Sequence, residues 1–306
     1  MDRDVRTHQH RHDLRAHQSR ALVWSLAANA TFMIVEFIGG LVTGSLALLA
    51  DAGHMLSDVV ALAVALVAHR LLLRPPSDRH TYGLQRAEVV GAQLNALILL
   101  GLAGWLLFEG VRRVQAPTAV DGGGVVLVAF LGLAVNAMSA VWLHRHRGDS
   151  LNLQGAFLHM MLDALGSVAA LAAGIGIVFW DQARLDPAAS IFIALLIVWS
   201  AWALLRETIH VLLEGTPRGL DPREVERALA GDPSVESVHH LHLWNLASDV
   251  PALSAHVVVA DEATLHEAQL HSDRLKEMLQ ERFGILHSTL ELECHTCEPA
   301  TGVRPS

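Results

Sequence analysis

The 306-residue chain is 52% apolar and only 17% charged, against about a quarter in soluble domains, and its formal charge is -9. Long, nearly uncharged stretches exclude a wholly soluble protein, and an acidic chain without clustered Lys and Arg excludes nucleic acid as a partner. Nineteen histidines and two cysteines point to metal or redox chemistry, not to a disulfide framework.

The first twenty residues are polar, carry Arg3, Arg6, Arg11 and Arg15, and show no cleavable signal pattern. His8, His10, His12 and His17 crowd this tail, where they either gather metal or simply solvate a flexible segment. Six apolar runs follow, each long enough to cross a bilayer as a helix: Ala21–Leu41, Leu46–Ala68, Val89–Val111, Val125–Leu143, Phe157–Trp180 and Ala188–Leu212. The four-residue turn Val42-Thr43-Gly44-Ser45 folds the first two into a tight hairpin. Eleven arginines flank one side of this arrangement and three the other, which predicts both termini in the cytoplasm.

After Thr216-Pro217 the composition becomes charged. Asp221-Pro222 reads as a helix start, with Asp221 as N-cap. Val235–Leu246 and Ala252–Val259 read as strands, Asp261–Arg282 as an amphipathic helix, and Ile285–Glu293 as a third strand. The predicted domains are a His-rich tail over 1–20, a six-span transport domain over 21–216, a cytoplasmic α-β-β-α-β, ferredoxin-like domain over 217–295, and a disordered tail over 296–306. The second and fifth runs share a local pattern, but the chain has no tandem repeat.

That shared pattern is His54-Met55-Leu56-Ser57-Asp58 in the second run and His159-Met160-Met161-Leu162-Asp163 in the fifth. Residues four apart lie on one helix face, so each string aims an imidazole and a carboxylate the same way. An acid in the middle of a membrane helix costs about 2.5–3.5 kcal/mol on insertion scales, so such acids usually serve a function. Two nitrogens and two oxygens suit one tetrahedral Zn²⁺, and imidazole moves preference away from harder ions such as Mg²⁺. Metal and protons compete for these groups, which would let proton entry drive metal release. The bland alternative is that each histidine bonds its own aspartate. A catalytic zinc site needs an open position and a nearby base; no His-Glu-x-x-His string is present, so a transporter is expected and not an enzyme. A metal sensor with a membrane anchor is the remaining rival.

Leu48-Leu49-Ala50-Asp51-Ala52-Gly53-His54-Met55-Leu56-Ser57-Asp58 resembles the second-span signature of the cation diffusion facilitator (CDF) family. His80-Thr81-Tyr82-Gly83-Leu84-Gln85-Arg86-Ala87-Glu88 is similar to the family's loop entering the third span, and Val238-His239-His240-Leu241-His242-Leu243-Trp244 to the first strand of its C-terminal domain. The resemblance covers about residues 20–295 and is strongest to bacterial zinc-exporting members. It implies a homodimeric Zn²⁺/H⁺ antiporter in the cell (inner) membrane, with His54, Asp58, His159 and Asp163 as transport ligands and Zn²⁺, with Cd²⁺, Co²⁺ or Ni²⁺ also possible, as substrate.

By the same resemblance, His240, His256, His271, Glu291, Glu293 and Cys294 are regulatory metal ligands of the cytoplasmic domain, although Glu291 stands where a relative has histidine. Strand alternation sends His239 to the face opposite His240, and His242 to the same face. Asp78 and His80 match a second loop site, where Leu84 replaces a histidine, so weak or no binding is expected. Cys294 and Cys297 form a Cys-x-x-Cys that is a weak metal signal, and His144 and His146 read as a solvated connection. Arg86 and Glu214 are a candidate charge pair at a dimer hinge. Asp51 is a proton relay or a cap-like group, and Glu36 and Asn136 are interhelical hydrogen-bonding groups, at about 0.6–2 kcal/mol each.

Overall fold

The computed structural model describes residues 30–72, 77–146, 151–247, 250–259 and 264–295, with the side chains of 62, 65–66, 68–70, 72, 142–146 and 151–160 outside that description. It divides into two compact units, Met1–Ala63 with Leu94–Ala203 and Val64–Gln93 with Leu204–Ser306.

The first unit is helical. Its elements are α1 (Ala30–Thr43), α2 (Leu46–Leu72), α3 (Ala87–Gln115), α4 (Gly122–His146), α5 (Leu151–Trp180) and α6 (Leu185–Leu212), of which α2, α3 and α6 continue into the second. Among the described residues, four helices are long and apolar enough to cross a membrane: α3, α4 up to Val141, α5 from Met161, and α6. Lipid offers no hydrophobic drive between helices, so they pack through small residues that allow close approach. The buried core is accordingly rich in alanine, with Ala50, Ala103, Ala129, Ala170, Ala173 and Ala194 around Leu48, Leu106 and Ile197. Gly174 on α5 shows the tightness of this packing, because a Cβ there would lie 3.0 Å from Val125 and Val126 of α4.

The α1–α2 turn needs Gly44, whose φ of +72° is costly for other residues. The new helix start is capped from a distance. The Asp186 carboxylate at the start of α6 is fully buried, accepts from Leu46 N at 2.7 Å and Ala47 N at 3.3 Å, and takes a bond from Ser45 Oγ. An anion there satisfies orphan N–H groups and the helix dipole together. Arg113 ties the same turn to α3 by donating to the Gly44 carbonyl at 2.8 Å.

The second unit carries α7 (Pro222–Ala230), β1 (Val235–Ala247), β2 (Val250–Val259), α8 (Leu265–Phe283) and β3 (His287–Glu293). Asp221 caps α7, with Pro222 in its first turn. Thr264 and Glu267 form a reciprocal capping box that starts α8 at Leu265, later than the Asp261 expected from periodicity, and Gly284 ends the helix with φ +69°. The sheet order is β1-β2-β3, antiparallel then parallel, and Val225, Leu229, Leu253, Val257, Leu275, Leu279 and Ile285 form one apolar core.

Candidate metal centre

The helical period aligns His54 and Asp58 on α2, and α5 brings Asp163 to meet them. Ligand atoms of all three lie within 4.8 Å of one another. His54 Nε2 stands 3.3 Å from Asp163 Oδ1, and Asp163 is buried at 2% exposure. His159 lies one turn before Asp163 on the α5 backbone, and its side chain is outside the described residues. One imidazole and two carboxylates at this spacing can hold a divalent metal, and the imidazole favours Zn²⁺ and its neighbours over Mg²⁺. A cavity of about 30 Å³, enough for an ion or a water, adjoins the centre and is lined by Asp51, His54, Gly166, Ile193, Trp199 and Ser200 among others.

The surroundings are also acidic. Asp51, one turn before His54, accepts from Ser167 Oγ at 3.2 Å, and Asn136 Nδ2 in turn donates to Ser167 Oγ at 3.4 Å. Gly166 makes this possible, because a Cβ at that position would lie 2.9 Å from Asp51 Oδ1.

A second cluster sits on the sheet of the other unit. His239, His240 and His256 bring ring nitrogens within 4.8 Å of one another, and so do the ligand atoms of His256, Glu291 and Glu293. His256 Nδ1 is 2.7 Å and His239 Nε2 is 3.4 Å from the two Glu293 oxygens, and His256 Nε2 is 3.5 Å from Glu291. The expectation that His239 points away from His240 is therefore corrected. A β-bulge interrupts β1 between His239 and His242, and His240 takes φ +48°, so strict alternation fails there. The His239 and His240 rings then lie 5.1 Å apart, both beside His256. His242, expected on the face of His240, is exposed and joins neither group.

Other expected ligands are not brought together among the described residues. His271 lies on α8 beside Arg274 and joins neither group. Cys294 is exposed and contacts the neighbouring His295, while Cys297 lies outside the described residues. Asp78 and His80 occupy an exposed turn closed by the Ser77–His80 bridge and form no group with a third ligand. Arg86 and Glu214 do meet, as a solvent-exposed ion pair at 3.0 Å. The N-terminal histidines and the side chains of His144 and His146 are outside the described residues.

The transmembrane domain of the cation efflux family matches residues 22–213, and the cytoplasmic domain of cation efflux proteins matches residues 217–295. The chain is 40% identical over 291 residues to the metal cation efflux system protein CzcD of Cupriavidus metallidurans, covering 95% of this chain and 92% of that one. It is 37% identical to a cadmium, cobalt and zinc/H(+)-K(+) antiporter of Bacillus velezensis, over 94% and 91% of the two chains. It is 38% identical to the zinc transporter ZitB of Escherichia coli, over 91% and 88%. With two consecutive domains matched across nearly its whole length, this chain belongs to the cation efflux family of multi-pass membrane transporters and is not an enzyme.

Proposed function

We propose that the protein exports cytoplasmic Zn²⁺ across the inner membrane in exchange for protons, as a homodimer with six membrane spans and both termini in the cytoplasm. The observation that carries this reading is the convergence of His54, Asp58 and Asp163 from α2 and α5. His159 is proposed as the fourth ligand, from its place one turn before Asp163. A closed, four-ligand N₂O₂ set suits Zn²⁺ as cargo, and the same atoms bind protons, so metal and protons exclude each other. The names of the E. coli and B. velezensis relatives support zinc and proton exchange respectively. Cd²⁺ and Co²⁺, which the latter name includes, are proposed as secondary substrates, with Ni²⁺ beside them.

The proposed domains are the tail 1–20, the transport domain 21–216, the soluble domain 217–295 and the tail 296–306, and the family matches support the division near residue 216. Within the soluble domain, regulatory metal is proposed at His240, His256, Glu291 and Glu293, now with His239. The Arg86–Glu214 pair is proposed as the charge pair at the dimer hinge.

Zinc uptake into inverted vesicles, with and without a pH gradient, tests the reading. Gradient-driven uptake that disappears in Asp58→Asn and Asp163→Asn supports it. Unchanged uptake in both variants would overturn the site assignment, and absence of flux with intact soluble-domain zinc binding would favour a sensor.

A further inference from the structure

The metal ligands come from α2 and α5, but a third helix walls the space beside them. The cavity of about 30 Å³ next to Asp51 and His54 is lined on one side by Ile193, Leu196, Ile197 and Ser200 of α6. Positions 193, 197 and 200 follow the i, i+4, i+7 spacing of a single helix face. Leu195 and Trp202 lie on the other face, at 53% and 55% exposure. The inward stripe is fixed in place. Ile193 and Ile197 are buried at 2% and 1% exposure, in one core with Leu48 and Ala50 of α2 and Ala170 and Ala173 of α5. Both are β-branched, so their side chains have little rotamer freedom with which to make room. The start of α6 is held as well, because Asp186 accepts from the first turn of α2.

The size and polarity of this space bear on how much water an ion can keep. About 30 Å³ is the share of one water in the liquid, and a buried water needs about two to four polar partners. Asp51, His54 and Ser200 are the polar lining residues, and Ser200 is the one that α6 supplies among otherwise apolar side chains. Zn²⁺ is satisfied by four ligands. Mn²⁺ and Mg²⁺ favour six, so on His54, Asp58, Asp163 and the proposed His159 they must keep about two waters. The space admits the first of these and not the second.

We propose that Ile193, Ile197 and Ser200 of α6 form a wall that sets the cation specificity of the centre. Ser200 holds a single water, and the two isoleucines exclude another. The centre then takes cations that are stable with four or five ligands and rejects those that stay six-coordinate. The wall acts through hydration, in addition to the preference that imidazole gives. The inference rests on the reading of His54, Asp58 and Asp163 as the metal centre.

The test is competition between Zn²⁺ and Mn²⁺ for the purified full-length protein, with Mn²⁺ followed by electron paramagnetic resonance. Only the binding that Asp163→Asn abolishes is counted, which sets the soluble domain aside. Ile197→Ala leaves every ligand in place and opens the wall. It should tighten Mn²⁺ binding about tenfold or more while Zn²⁺ changes by less than about threefold. Adding Ser200→Ala to that variant should reverse part of the Mn²⁺ gain, because the anchor of the water is gone; no reversal would overturn the role of Ser200. The pair Ile193→Val and Ile197→Val trims one methyl group at each position and should shift the ratio the same way by a smaller factor. If Ile197→Ala loses zinc as well, the valine pair decides. An unchanged ratio, or equal weakening of both ions, would overturn the proposal and leave selection to the ligands alone. Absence of Asp163-dependent Zn²⁺ binding in the wild type would overturn the metal-centre reading and this one with it. A shifted ratio in a protein that moves no zinc would sink the exporter reading and leave the wall standing.

Discussion

Replacing Gly166 by alanine separates the packing of the site from its ligands. The added methyl would lie 2.9 Å from Asp51 Oδ1, with the rest of that carboxyl group at 3.5–3.8 Å. Real Cβ atoms do not approach that closely, so either α5 shifts or the Asp51 side chain swings, at about 1–3 kcal/mol for an overpacked interior. Alanine in a helix returns about 0.8–1 kcal/mol relative to glycine. The net expectation is a loss of roughly 0–2 kcal/mol in stability by these two magnitudes, together with a displaced Asp51 beside His54. Gly101→Ala is the matched control, because a Cβ there meets nothing within 4 Å and only the helical gain applies. Thermal unfolding in detergent and zinc titration of both variants read the difference. Gly101→Ala should match or exceed the wild type in melting temperature with unchanged zinc affinity, whereas Gly166→Ala should melt lower and bind zinc more weakly. Equal melting temperatures and zinc affinities in the two variants would refute the close approach of α5 to Asp51.

Further outcomes follow from the same geometry. His239→Ala should weaken zinc binding by the soluble domain about as much as His256→Ala, at least tenfold, because both rings face Glu293, while His271→Ala leaves it unchanged; calorimetry on the full-length protein separates these cases. Asp186→Asn should destabilise the protein by about 1.5–3 kcal/mol, since one carboxylate serves Ser45, Leu46 and Ala47 at the start of α2; detergent melting curves check it. Reversing the charge of Arg86 or Glu214 should cost less than about 1 kcal/mol in stability because the pair is exposed, and the double reversal should restore any loss of transport. The Thr264 hydroxyl holds the Glu267 carboxyl below its ordinary value of 4.5. Its stabilising effect on α8 is therefore present above that value and lost as pH falls through the lowered one. Hydrogen exchange in the first turn of α8 should accelerate in that acid window, and Thr264→Ala should diminish the change, leaving only the part carried by the backbone N–H of residue 264.

What was legible in the sequence is what local periodicity encodes. A four-residue spacing puts His54 over Asp58 whatever surrounds them, and Asp221-Pro222 starts α7 through bonds confined to one turn. The soluble domain's order of elements was readable for the same reason, since strands and amphipathic helices carry different periods. Tertiary structure decided which of these local faces meet. No spacing within α2 says that Asp163 of α5 will stand 3.3 Å from His54, because that distance depends on the closeness of packing that small residues allow. The Asp186 cap on α2 spans 140 residues and leaves no local signature. The His239 position was misread because alternation assumes an unbroken strand, and the bulge at His240 changes which face a side chain takes without any glycine to announce it. Glu36, Asp51, Asn136 and Ser167 each look like an isolated polar residue in an apolar run. Only the meeting of α1, α2, α4 and α5 joins them into one run of polar contacts, since a buried acid's partner is set by whichever helix packs against it.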